Sequence, residues 1–217
     1  MPATLSNDLF LLLPALLLLL WPADWLLSKR VELRSIDSFR SLNHAPRYRP
    51  WWWVPALWLD PMRAFAGSWL LQRALNTGSL EYDFVFSGVY VLLLSILAAG
   101  MAVQLITRRE SGVLLAPLGY TVGMAMSLTT WPVVLVATLV AVTALLALRA
   151  FPAFFAGGLV TTALVGLVFQ VGIAGLVPAV MVFALPLLVS GLTRRVMELP
   201  CRSDAPKVPA QHLPPRR

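Results

Sequence analysis

Two uncharged runs, separated by a single arginine, set the terms for everything this chain can become. Ser111 to Leu148 is 38 residues without a charge, and Ala150 to Thr193 is 44 more, with Arg149 between them. An α-helix rises about 1.5 Å per residue, so 38 residues would make a rod of about 57 Å against a hydrocarbon core of about 30 Å. Each run must therefore fold back on itself. Thr129-Thr130-Trp131-Pro132 is the turn expected in the first, since proline disfavours helix at the residue before it and tryptophan prefers the membrane interface. The second is expected to break near Gly172 to Gly175. A third uncharged run, Phe84 to Thr107, is 24 residues long and closes on Arg108, Arg109 and Glu110.

Composition agrees. The 217 residues are 59% hydrophobic and only 12% charged, where soluble domains hold about 25% charged residues. A water-soluble fold of this size could not hide so much apolar surface. The expected class is all-α, a polytopic helical membrane protein. The spans are expected at 9–27, 51–71, 84–107, 112–129, 132–148, 153–171 and 174–193, making residues 1–199 one transmembrane domain.

The second of these decides the count. Trp51 to Leu71 is apolar on average but carries Pro55, Asp60, Pro61 and Arg63, and a central charge costs about 2.5–3.5 kcal/mol on the insertion scale. If it lies flat, the chain has six spans. If it crosses, the basic loop between residues 28 and 50 (Lys29, Arg30, Arg34, Arg40, Arg47 and Arg49) lies on the same side as Arg108, Arg109, Arg149 and the C-terminal tail, which gathers 15 of the 17 basic residues on one side. The positive-inside rule then favours seven spans, the N-terminus outside and the C-terminus in the cytoplasm of, most simply, a bacterial inner membrane. An Asp60–Arg63 ion pair, one turn apart on one helix face, would offset part of the cost.

The polar segments carry less information. The basic loop has Leu33, Ile36, Phe39 and Leu42 at near-helical spacing, which suggests a short amphipathic helix at the headgroups. Trp51, Trp52, Trp53 and Trp58 read as interfacial anchors. Residues 200–217 hold five prolines and read as an extended, disordered cytoplasmic tail, with Cys201 as a free thiol or a juxtamembrane acylation site. The basic residues follow span boundaries and do not gather on one folded face, which argues against nucleic acid as a partner.

Catalytic signatures are hard to find. The two histidines, His44 and His212, both lie in polar segments far apart, and the only cysteine is Cys201. The spans therefore offer neither metal-ligand spacing nor a base beside Ser87, Ser95, Ser127 or Ser190, which read instead as helix hydrogen-bonding residues. No catalytic residue, metal or cofactor is expected. The candidate intramembrane polar contacts are Asp60, Arg63, Gln104 and Gln170. The candidate packing faces are Gly158, Thr162 and Gly166 (a stripe that continues at i+4 to Gln170), Gly119 with Gly123, and Ala98 with Ala102. The leading expectation is a non-catalytic membrane subunit that meets protein partners, in the membrane or at its cytoplasmic face, through the basic loop and the small-residue faces, with lipid around it. The alternative is a transporter, or a component of one, for a hydrophobic or zwitterionic small molecule, using the four polar contacts. An intramembrane enzyme comes third.

Overall fold

The computed structural model describes residues 5–22, 31–34, 55–75, 88–106 and 113–202. Among them are seven helices: α1 Leu5–Leu20, α2 Pro55–Ala74, α3 Gly88–Ile106, α4 Leu118–Leu128, α5 Trp131–Leu148, α6 Phe151–Val168 and α7 Ile173–Thr193. Three short strands accompany them, β1 Val31–Arg34, β2 Val113–Leu115 and β3 Val196–Arg202. The chain is a helical membrane protein: α3, α5, α6 and α7 are each long and apolar enough to cross a bilayer, while α1 and α4 carry shorter apolar helices.

Both long runs fold back where the sequence places the breaks. α4 ends at Leu128, Thr129 and Thr130 are extended, and α5 starts at Trp131 with Pro132 in its first turn, where a missing N–H costs nothing. α6 stops at Val168 and α7 begins at Ile173. α5 and α7 both end on an arginine in the left-handed region, Arg149 (φ 53°) and Arg194 (φ 53°), a conformation in which glycine is more usual.

The larger differences lie at the end of α1 and in the connections: the span expected at 9–27 is helical from Leu5 to Leu20, with Trp21 and Pro22 outside the helix. The span expected at 112–129 is an 11-residue helix, α4, preceded by β2; Pro117 bars helix from the residue before it. The amphipathic helix expected through Leu33 is not formed at residues 31–34, which are extended and pair with β3, while residues 35–50 lie outside the described residues. Pro200, Cys201 and Arg202, expected in the extended tail, belong to β3; residues 203–217 lie outside the described residues. The sheet has the order β1-β3-β2. β1 is antiparallel to β3, with Glu32 opposite Cys201 and Arg34 opposite Leu199. β2 is parallel to β3, with Leu114 beside Met197.

Two clusters form the interior. In one, Leu19 and Ala15 of α1 pack with Ala64, Leu71, Leu93, Leu97, Met101, Tyr120 and Met124. In the other, Phe151, Phe154 and Phe155 of α6 pack with Val134, Ala141, Phe183, Leu114 and Met197, so the sheet is seated on the bundle at the level of the α5–α6 turn.

A buried polar cluster at the end of the first helix

α1 ends at Leu20 two residues before Pro22, and its last carbonyls need donors from elsewhere. Three other helices supply them. Tyr120, in the first turn of α4, donates its hydroxyl to the Leu19 carbonyl at 2.8 Å. Gln104, near the end of α3, donates its Nε2 to the Trp21 carbonyl at 2.9 Å and to the Leu19 carbonyl at 3.3 Å. Arg63 of α2 donates through one guanidinium nitrogen to the Trp21 carbonyl. Its other terminal nitrogen donates to Asp60 Oδ1 at 2.6 Å and to Gln104 Oε1 at 3.2 Å. The guanidinium also lies over the Tyr120 ring, 5.4 Å from its centroid, a distance at which the ring quadrupole attracts a cation.

The expected Asp60–Arg63 pair is present at i,i+3, with both side chains largely shielded at 15% and 8% exposure. Gln104 joins it and is fully buried. Gln170 does not. It follows the end of α6 in a left-handed conformation (φ 52°) and is exposed in the α6–α7 turn, so the expected four-membered polar set is a three-membered one. Residue type and span membership could not separate Gln170 from Gln104, because both sit near the end of an expected span. The residue missing from the expected set is Tyr120. Its signal was weak, a lone tyrosine among small and apolar residues.

The seat of α1 is shaped by glycines. A side chain at Gly67 would meet the Leu19 side chain at 2.9 Å, and one at Gly100 would meet the Tyr120 hydroxyl at 2.8 Å and the Leu19 carbonyl at 3.3 Å. Gly123 lies so close to the Pro61 backbone carbonyl that no Cβ fits. At the far end of α2, the Ser68 and Ser127 hydroxyls share a bond of 2.5 Å, and Gln72 Nε2 donates to the Ser127 carbonyl at 2.9 Å.

The other candidate residues distribute as follows. Gly158, Thr162 and Gly166 form a buried face of α6, and that face is filled by this chain itself: Phe183 of α7 covers Gly158 and Leu176 covers Gly166. Gly123 is likewise filled by α2, while Gly119, Ala98 and Ala102 are half-buried. The positions of Gly123, Gly158 and Gly166 are thus filled within this chain. Ser95 and Ser127 bond back to Val91 and Met124 carbonyls at 2.7 and 2.8 Å, and Ser190 donates to the Arg195 carbonyl at 2.9 Å. Trp58 is exposed in the first turn of α2. Trp51, Trp52, Trp53, Lys29, Arg30, Arg40, Arg47, Arg49, Ser87, His44 and His212 lie outside the described residues, and Arg34 is in β1.

Comparison with family models, with curated proteins and with solved structures gives no significant match. The class is therefore defined by the chain's own features, those of a helical membrane protein whose buried polar side chains are turned inward to fasten its first helix.

Proposed function

We propose that this chain is a non-catalytic integral membrane subunit that crosses the bilayer seven times and meets its partner at a cytoplasmic, strand-bearing, arginine-rich end. The observation that carries the reading is the sheet. Strands that hydrogen-bond side by side lie on one side of a membrane, so the chain must cross an even number of times between any two of them. α2 and α3 lie between β1 and β2. Since α3 has the length and apolarity to cross, α2 crosses with it despite Asp60 and Arg63. Four helices, α4 to α7, lie between β2 and β3. Three of them have the length to cross, and α4 supplies the fourth passage.

α4 is short for that work. Its 11 residues rise about 17 Å, and the extended Thr129 and Thr130 add roughly another 7 Å, still short of a core of about 30 Å. Such a short, partly extended passage is tolerated only where protein surrounds it. Leu114, Ala116, Tyr120, Thr121, Met124 and Ala125 are all buried, which supports the assignment.

The charge distribution supports the orientation. The segments next to the three strands, with the α5–α6 turn and the tail, carry 15 of the 17 basic residues, which on the positive-inside rule belong in the cytoplasm of a bacterial inner membrane. The non-catalytic role is supported by the use made of the polar interior: Asp60, Arg63, Gln104 and Tyr120 are engaged with one another and with the end of α1. With the seams at Gly123, Gly158 and Gly166 occupied from within, the basic end is the surface we assign to a protein partner.

The topology is tested with the native cysteine. Antiparallel partners have Cα atoms about 4.5–5.5 Å apart, inside the range a disulfide bridges, so Glu32→Cys should cross-link to Cys201 when membranes are treated with a mild oxidant. A Thr77→Cys, Cys201→Ser chain should also react with an impermeant thiol reagent in intact cells. Absence of both results would refute seven crossings. The subunit role is tested separately: tagged chain extracted in mild detergent should co-purify with a stoichiometric partner, and its recovery as a well-behaved monomer would refute it.

A further inference from the structure

α5 and α7 deliver three exposed arginines, Arg149, Arg194 and Arg195, to the end of the bundle where the sheet sits. Their surroundings link them. α6, which begins two residues after Arg149, packs against β3, which begins one residue after Arg195, so the two arginine sites lie beside each other at one end of the bundle. None of the three is paired with a carboxylate among the described residues, whose ion pair is that of Asp60 with Arg63. Uncompensated guanidinium groups that are held at a membrane boundary match phosphate, which they can bind through two parallel hydrogen bonds.

The apolar side of the same end narrows the choice of phosphate. Leu146 and Leu148 near the end of α5 are each 70% exposed, and Leu188 and Leu192 near the end of α7 are 58% and 84% exposed. These leucines run along the two helices up to the arginines. A free phosphate has no use for them, whereas the acyl chains of a lipid would cover them.

We propose that Arg149, Arg194 and Arg195 form a headgroup site for an anionic phospholipid, with the acyl chains lying along the exposed leucines of α5 and α7. The site rests on these helices crossing a bilayer and not on the subunit role. The test uses the full chain purified in a non-ionic detergent, with binding read by native mass spectrometry and by the thermal unfolding midpoint. Phosphatidylglycerol should bind at least fivefold more tightly than phosphatidylcholine and raise the midpoint by several degrees. The Arg149→Gln, Arg194→Gln, Arg195→Gln variant should lose that preference. Arg195→Gln alone, which leaves both left-handed helix ends intact, should weaken phosphatidylglycerol binding at least twofold, and serves if the triple variant does not fold. Equal binding of the two lipids, or an undiminished preference in both variants, would overturn the proposal. So would an equal midpoint shift from inorganic phosphate alone, which would identify a free-anion site. If no lipid binds and an acidic protein partner protects the arginines instead, the headgroup assignment is wrong while the subunit role stands.

Discussion

Removing Asp60 or Arg63 alone should harm the fold more than removing both. In Asp60→Asn the guanidinium stays charged and buried, left with the neutral oxygens of Gln104 and Trp21. In Arg63→Met the carboxylate loses its partner, and the Trp21 carbonyl loses the guanidinium donor while keeping that of Gln104. Breaking a buried pair from one side costs about 3–5 kcal/mol, whereas replacing both members by neutral groups is often close to harmless. Asp60 retains 15% exposure, so each single change is placed at the low end, about 3 kcal/mol. The double variant should cost about 2–3 kcal/mol in total, most of it for the weakened hold on the end of α1. The double therefore falls short of the sum by about 3–4 kcal/mol, a coupling at or just beyond the upper end for residues in contact.

The assay is reversible unfolding in mixed micelles of mild detergent and dodecyl sulfate, followed by the fluorescence of the eight tryptophans. Additivity within about 0.5 kcal/mol would refute the reasoning, because it would mean that the two side chains do not depend on each other. Single changes that each cost less than about 0.5 kcal/mol would refute it in another way, since that is the behaviour of surface positions and would return the pair to the expected role of contacting an external molecule.

Gly123→Ala should destabilise the chain by at least about 1–3 kcal/mol, the usual cost of overpacking, because the added methyl meets the Pro61 backbone and no side chain can swing clear; Gly191→Ala, where nothing lies within 4 Å, should be neutral or stabilising by up to about 1 kcal/mol in the same unfolding assay. Tyr120→Phe should cost about 1 kcal/mol, since Leu19 retains the longer Gln104 bond at 3.3 Å, and adding Gln104→Leu should cost more than the sum of the two single changes because the carbonyl is then orphaned. Gly158→Leu should open the α6–α7 seam against Phe183 and lower the thermal unfolding midpoint by several degrees, whereas a seam that served a partner would leave the isolated chain unchanged and lose only the partner.

The helices could be read from the sequence because the bilayer imposes their length. The turn at Thr129 to Pro132 and the break before Ile173 follow from runs too long for one passage, and the Asp60–Arg63 pair follows from helical spacing. The sheet was harder. Its strands are four, three and seven residues long, too short for periodicity to stand out among charged loops. A period-two signal was nonetheless present in Val196–Arg202, where Met197, Leu199 and Cys201 alternate with Glu198, Pro200 and Arg202. The cluster around α1 was legible only in part, since two of its acceptors are the Leu19 and Trp21 carbonyls, and a backbone oxygen has no letter of its own. Pro22 was the available hint: a helix that stops short of a proline inside an apolar bundle leaves carbonyls that some neighbour must satisfy.

That need explains why polar side chains inside this bundle do not by themselves announce a transport path. An ionisable residue within a membrane segment is a functional site by default, because burying it is costly. Here the cost has a local return. α1 meets the rest of the bundle at Leu19, which Gly67 and Gly100 admit and which Tyr120 and Gln104 hold by its carbonyl. Arg63 reaches the same helix end two residues further on, and Asp60 neutralises Arg63 without adding a donor that the site would have to satisfy. The four residues come from three helices, so none of those helices can shift along its axis without loosening the end of α1. An arrangement that ties four helices together at one point resists the sliding that a carrier needs between its outward and inward states. That rigidity is consistent with the proposed subunit role, which the co-purification experiment tests.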